Sequence, residues 1–182
     1  MGTMEVLNRM GISRMVANPW YRKHELAESL ERAERICRSN YVATNAGSSL
    51  EGEAVFTLLM ICLDDVLQFL RKEGRRIAFS DDVEPIGGKN GDVTDLVHTF
   101  RNITCHIPSL LRTIEDKNGN MVRNGYTVAI GKVVAIKLGD LELGSQYADD
   151  VAILYGANRI YWTRHIVRAT SEAREALHRF WV

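Results

Sequence analysis

Two side-chain types that act together on phosphates without a metal stand close in the stretch Phe100-Arg101-Asn102-Ile103-Thr104-Cys105-His106. A guanidinium neutralises charge as it develops on phosphoryl oxygens, and an imidazole moves a proton near neutral pH. Arg101 supplies the first and His106 the second. Asn102, next to the arginine, is suited to orient the imidazole or to bind a phosphate oxygen. Taken singly, each residue also has an ordinary role: His106 as a partly buried core histidine, Arg101 as a solvated or ion-paired cation, Asn102 as a polar residue on a helix surface. Their conjunction favours chemistry. His98, three residues before Arg101, reads as structural and is kept outside the site.

An arginine followed by a polar residue and, with four residues between, by a histidine resembles the Arg-x(4–6)-His signature of the HEPN superfamily, helical domains found in many prokaryotic RNase toxins and defence proteins. The run Asp92-Val93-Thr94-Asp95-Leu96-Val97 leading into the motif is part of the resemblance. Arg159 and His165 also fit the spacing, but Arg101 and His106 have the favoured Asn and the polar helix start upstream. The resemblance implies a mainly α fold, a HEPN-like helical bundle with a small antiparallel β insertion between the motif helix and the C-terminal helix. It implies a metal-independent endoribonuclease without a cofactor, in which the RNA's own 2′-hydroxyl attacks the adjacent phosphate. His106 would act as general base or acid, Arg101 would stabilise the phosphorane-like transition state, and Asn102 would position phosphate or imidazole. It further implies a homodimer, and a toxin or phage-defence effector restrained by an antitoxin protein. Two other readings compete: a noncatalytic HEPN-like module that binds nucleotide, RNA or a partner protein, and an unrelated structural protein with an accidental motif.

Helix geometry sets a difficulty. On an ideal helix Asn102 and His106 share a face, whereas Arg101 and His106 point about 140° apart. Pro108 offers a local resolution, since it disfavours the α conformation at Ile107 and ends or kinks the helix near His106. A symmetric dimer, with two copies of the motif lining one cleft, is the other.

Composition narrows the rest. A chain of 182 residues with 46% hydrophobic content suits one domain. No apolar run is long enough to span a bilayer and the N-terminus has no secretory core, so a cytoplasmic protein is expected. Cys37, Cys62 and Cys105 are odd in number and far apart, which argues against a disulfide framework and a zinc site and for free, mostly buried thiols. The 23 basic and 23 acidic residues cancel, so RNA must be held by a local patch rather than by the whole protein's field.

The elements expected to carry the site are core helices at about 19–38, 50–73, 92–116 and 158–180, with the β insertion at about 121–155. Asn18-Pro19 reads as cap and first turn of the first helix, preceded by a short helix or docking arm. The 50–73 pattern, with Val55, Leu58, Leu59, Cys62, Val66, Leu67 and Leu70, marks a central helix ended by Gly74. Arg71, Lys72, Arg75 and Arg76 gather at its end, where cations complement the helix dipole and form a candidate RNA-binding patch. Tyr126–Ile130, Lys132–Ile136 and Val151–Tyr155 read as strands of a small meander. Gly87-Gly88-Lys89 lacks the rest of a phosphate loop, and His24-Glu25-Leu26-Ala27-Glu28 lacks the second histidine of a zinc-protease helix. Tyr155, Arg159, Tyr161, Arg164, His165 and Arg168 mix rings and cations, better explained as a packed aromatic face than as an RNA contact.

Overall fold

A computed structural model describes residues 19–86, 91–106 and 108–181. The expected N-terminal arm, the Asn18 cap, the Gly87-Gly88-Lys89 run and the backbone of Ile107 lie outside the described residues. Helix α1 spans Pro19–Ser39, α2 Leu50–Lys72, α3 Val93–Cys105 and α4 Arg168–Trp181. Helix α2 is central: Phe56, Leu59, Met60, Leu63, Val66, Leu67 and Leu70 are fully buried, and α1, α3 and α4 all pack against it. Ser49 caps its start by accepting from the Gly52 amide at 2.9 Å. Its end is closed by Gly74 at φ 72°, whose amide donates to the Arg71 carbonyl.

Four aromatic rings weld the helices to the strands. Phe56 of α2 stacks on Tyr155 with centroids 5.9 Å apart, Phe100 of α3 meets both at 6.2 Å, and Tyr126 lies 5.9 Å from Phe56 and Tyr155. Such contacts add to the area these rings bury. Because Phe100 and Ile103 are wholly buried, the rotation of α3 about its axis is fixed, and Arg101 and Asn102 come to the rim of the core.

The expectation of a mainly α bundle with a small insertion is corrected. About 53% of the structure is helical and 20% is strand, in three small antiparallel sheets, which makes it a mixed α/β fold. β1 (Thr113–Glu115) pairs with β2 (Met121–Arg123), β4 (Val133–Leu138) with β5 (Leu141–Ser145), and β3 (Thr127–Ile130), β6 (Val151–Tyr155) and β7 (Asn158–Tyr161) form the third sheet in the order β3-β6-β7. Two expected helices are shorter than their patterns. The motif helix stops at Cys105, not 116, with Pro108 just beyond. Residues 158–161 are strand, and a π-helix, Trp162–Val167, precedes α4. The apolar pattern of 158–180 is therefore divided between a sheet and a helix, each supplying part of the burial. The three-strand meander is also revised, since β3 pairs with β6 and not with β4.

The turn between β6 and β7 depends on Gly156. Its φ is 56°, and a Cβ there would sit 2.1 Å from the Leu111 carbonyl oxygen, so both conformation and space demand glycine.

His165, in the π-helix, is wholly buried with both ring nitrogens engaged. Nδ1 accepts from the Tyr161 amide at 3.1 Å, and Nε2 donates to the Asp81 carbonyl at 3.2 Å. Only a neutral imidazole satisfies both. Burial pushes its pKa down, against the opposing pull of the Asp81 carbonyl and of Asp82, Asp150 and Glu84. The unfolded histidine titrates near 6.5, so above that pH neither state carries the proton and the contribution is full. Below it the unfolded state binds the proton first, and stability falls as pH drops, by up to about 1.4 kcal/mol per pH unit. Denaturation midpoints at pH 7.5 and 5.5 should show this loss, and His165→Gln should reduce the difference; equal differences in both proteins would contradict it.

No helix among the described residues is long and apolar enough to cross a membrane.

Candidate functional site

The motif helix is secured at both ends. At its start Asp92 accepts from the Asp95 amide at 3.2 Å and is held by Arg76 at 2.5 and 2.8 Å. Burial alone would raise the Asp92 carboxyl, but the hydrogen bonds from Arg76 and from the Asp95 and Thr94 amides hold it below the usual carboxylate range. At its end lies Arg112, a residue that sequence reasoning missed. Its buried guanidinium donates to the Ile103 and Thr104 carbonyls at 3.1 and 3.2 Å and to Glu53 at 3.3 Å, and lies over the Tyr155 ring. These carbonyls belong to the last turn, which lacks partners within its own helix. Arg112 thus fixes the point at which the chain leaves α3 toward His106.

His106 is the C-cap, with extended backbone angles of φ −115° and ψ 91°, so the angular penalty of an unbroken helix does not extend to it. Its amide donates to the Asn102 carbonyl at 3.0 Å, while its exposed imidazole has no hydrogen-bond partner among the described residues. Arg101, half-buried, donates from one terminal nitrogen to Asn102 Oδ1 at 3.1 Å. Among the described residues no carboxylate lies within ion-pairing distance of it, although Arg76, Arg112, Arg159, Arg164, Arg168 and Arg174 are all paired with acids. The structure therefore brings Arg101 and Asn102 together, and leaves the His106 side chain unbonded to either within one chain.

His98 is joined to this group. Its Nε2 lies 3.2 Å from Asn102 Nδ2, and its Nδ1 lies 3.2 and 3.1 Å from the two carboxylate oxygens of Asp64 on α2. Asp64 is 6% exposed and also accepts from Gln68 at 3.1 Å. The neighbouring Asp65 faces outward, so the two carboxylates diverge. Burial raises the Asp65 carboxyl, with Asp64 adding to the shift and Arg22 and Arg101 opposing it. The spacing of His98 and Asn102 by four residues was a visible signal for one link of this chain; the link to Asp64 crosses between helices and has no sequence counterpart.

The 71–76 cations separate. Arg76 pairs with Asp92 and with Asp95 at 2.6 Å, Arg71 is 3.9 Å from Asp95, Arg75 lies over the Phe180 ring at 5.3 Å, and Lys72 is exposed. The second match to the motif is absorbed by packing: Arg159 pairs with Glu84 and the Gly144 carbonyl, and His165 is the buried residue described above. Its aromatic neighbours form a packed face, with Arg164 stacked 3.7 Å from the Tyr147 ring centroid and Arg168 3.8 Å from that of Phe79. Cys62 is buried, Cys37 half-buried and Cys105 exposed, all as free thiols.

None of the protein-family models, curated proteins or solved structures compared with the chain matches it.

Proposed function

We propose that this chain is a metal-independent endoribonuclease of the HEPN type, a toxin or phage-defence effector whose site contains Arg101, Asn102 and His106. The observation that carries the reading is the state of the two key side chains among the described residues: Arg101 makes no ion pair and its one side-chain hydrogen bond is to a neutral amide, with Asp65 acting on it only through its charge, and the His106 imidazole is exposed and without a hydrogen-bond partner. A cation with no carboxylate bonded to it keeps its hydrogen-bond donors for an incoming phosphate. In the reaction, the 2′-oxygen of the RNA bonds to phosphorus as its proton passes to a base, and the bond from phosphorus to the 5′-oxygen breaks as that oxygen takes a proton. His106 serves as the base or the acid, Arg101 neutralises the equatorial oxygens, and Asn102 orients phosphate or guanidinium. Two copies paired through this face would contribute two arginines and two histidines to one cleft. An antitoxin protein would restrain the activity in the cell.

One observation favours the noncatalytic alternative, a module binding nucleotide, RNA or protein: Arg76 is neutralised by Asp92 and Asp95 and Arg71 also faces Asp95, which leaves Lys72 and Arg75, both exposed, as the part of the basic patch without an acid partner among the described residues. The two readings separate on product chemistry. Incubation of a labelled RNA oligonucleotide with the purified protein should yield a 2′,3′-cyclic phosphate and a 5′-hydroxyl end. Intact RNA recovered in a stable complex would select the module.

A further inference from the structure

The polar chain behind Arg101 has one consistent assignment of protons. A carboxylate only accepts, so Asp64 takes a hydrogen from His98 Nδ1. A guanidinium only donates, so Arg101 requires the oxygen of the Asn102 amide. The Asn102 nitrogen must then face His98, and Nε2 must be a bare lone pair to accept from it at 3.2 Å. Every donor thus points the same way, from Arg101 through Asn102 and His98 to Asp64. With the amide reversed, its NH2 group would meet the guanidinium, donor against donor.

We propose that His98, fixed by Asp64, is a positioning residue for the arginine: it selects one of the two orientations of the Asn102 amide and thereby sets the guanidinium of Arg101. The inference rests on the endoribonuclease reading for its consequence and on geometry for its substance. Asp64 is buried on α2 and pairs with no lysine or arginine among the described residues; Gln68 donates to one of its oxygens, and His98 Nδ1, within reach of both, is the titratable donor it faces. The His98 side chain is itself 47% exposed, which leaves little packing for it to serve. A histidine with one nitrogen committed to a buried acid and the other to the amide beside a free cation orients that cation. Residues 98 and 102 are one helical turn apart, so the arrangement stays rigid for as long as α3 is folded.

Gln at position 98 carries a donor and an acceptor at the spacing of the two ring nitrogens, whereas Ala carries neither. His98→Ala should therefore lower kcat for RNA cleavage about 10- to 100-fold with little change in KM, and His98→Gln should restore most of it. Because the effect passes through Arg101, adding His98→Ala to Arg101→Ala should cause no further loss. A second measurement does not depend on activity. Long-range proton–nitrogen correlation spectra of the 15N-labelled full chain at pH 7.5 should find His98 protonated on Nδ1 and bare on Nε2, and the Asn102 side-chain amide signals should move in His98→Ala more than in His98→Gln. A proton on Nε2, or Asn102 signals indifferent to His98→Ala, would overturn the relay even if RNA is cleaved. If the wild type cleaves nothing, the endoribonuclease reading falls, and the spectra still decide the relay.

Discussion

Replacing Arg101 with alanine is expected to reduce the single-turnover rate of RNA cleavage about 10²- to 10³-fold, the usual consequence of deleting one preorganised donor to developing negative charge. Stability should change by no more than about 0.5 kcal/mol, because the guanidinium makes no ion pair among the described residues, Asp65, on which its charge acts, is exposed to solvent, and Asn102 stays bonded to His98. This separation of activity from stability distinguishes Arg101 from Arg76 and Arg112, which hold the two ends of its helix. Arg101→Lys should recover only part of the rate, since an ammonium keeps the charge but lacks the planar fork that spans two phosphoryl oxygens. Rates from short incubations, alongside denaturation midpoints of the same preparations, read both effects. An alanine variant that cleaves at the wild-type rate, or that loses cleavage only by unfolding, would contradict this assignment.

The largest stability effect is expected at Arg112. Arg112→Met fills similar volume but withdraws the hydrogen bonds to the Ile103 and Thr104 carbonyls and leaves Glu53 without its cation. Breaking a buried ion pair from one side costs about 3–5 kcal/mol. Glu53 keeps 30% of its side-chain surface in water, so the lower end, about 3 kcal/mol, applies. That is a large share of a domain's total stability of about 5–15 kcal/mol, and should lower Tm by about 6–12 °C. Glu53 also accepts from the Tyr155 hydroxyl at 3.3 Å, so the loss spreads into the aromatic cluster. A Tm within about 2 °C of wild type would show that the helix end is held by other contacts.

The helices that build the site were largely legible. The i, i+3, i+4 pattern of Leu26, Leu30 and Ala33, the apolar stripe of Leu59, Val66, Leu67 and Leu70 ended by Gly74, and the polar start at Asp92 set α1, α2 and the start of α3 close to where they lie, while the Ser49 cap emerged only in the structure. Pro108 foretold a stop near His106, but the expected extension to 116 failed because Thr113–Glu115 finds a strand partner in Met121–Arg123, a pairing no local pattern reveals. The 158–180 segment misled for a related reason. Ile160 and Tyr161 fit a helical stripe equally well, and their burial in the β6-β7 ladder is a tertiary choice. At the site, Arg101 beside Asn102 could be read from adjacency. The i, i+4 link of His98 to Asn102 was visible in principle, but the links of His98 to Asp64 and of Arg112 to Glu53 were not, because they span 34 and 59 positions, and Arg112's other partners are backbone carbonyls that any residue carries.

Arg101 and His106 are proposed to cleave RNA without a metal ion. The most direct test compares wild type and His106→Ala on total RNA in EDTA, after circular dichroism has shown the two to be equally folded. Cleavage by the wild type should persist in the chelator and be lost in the variant. Intact RNA with wild type, or equal cleavage by both proteins, would contradict it.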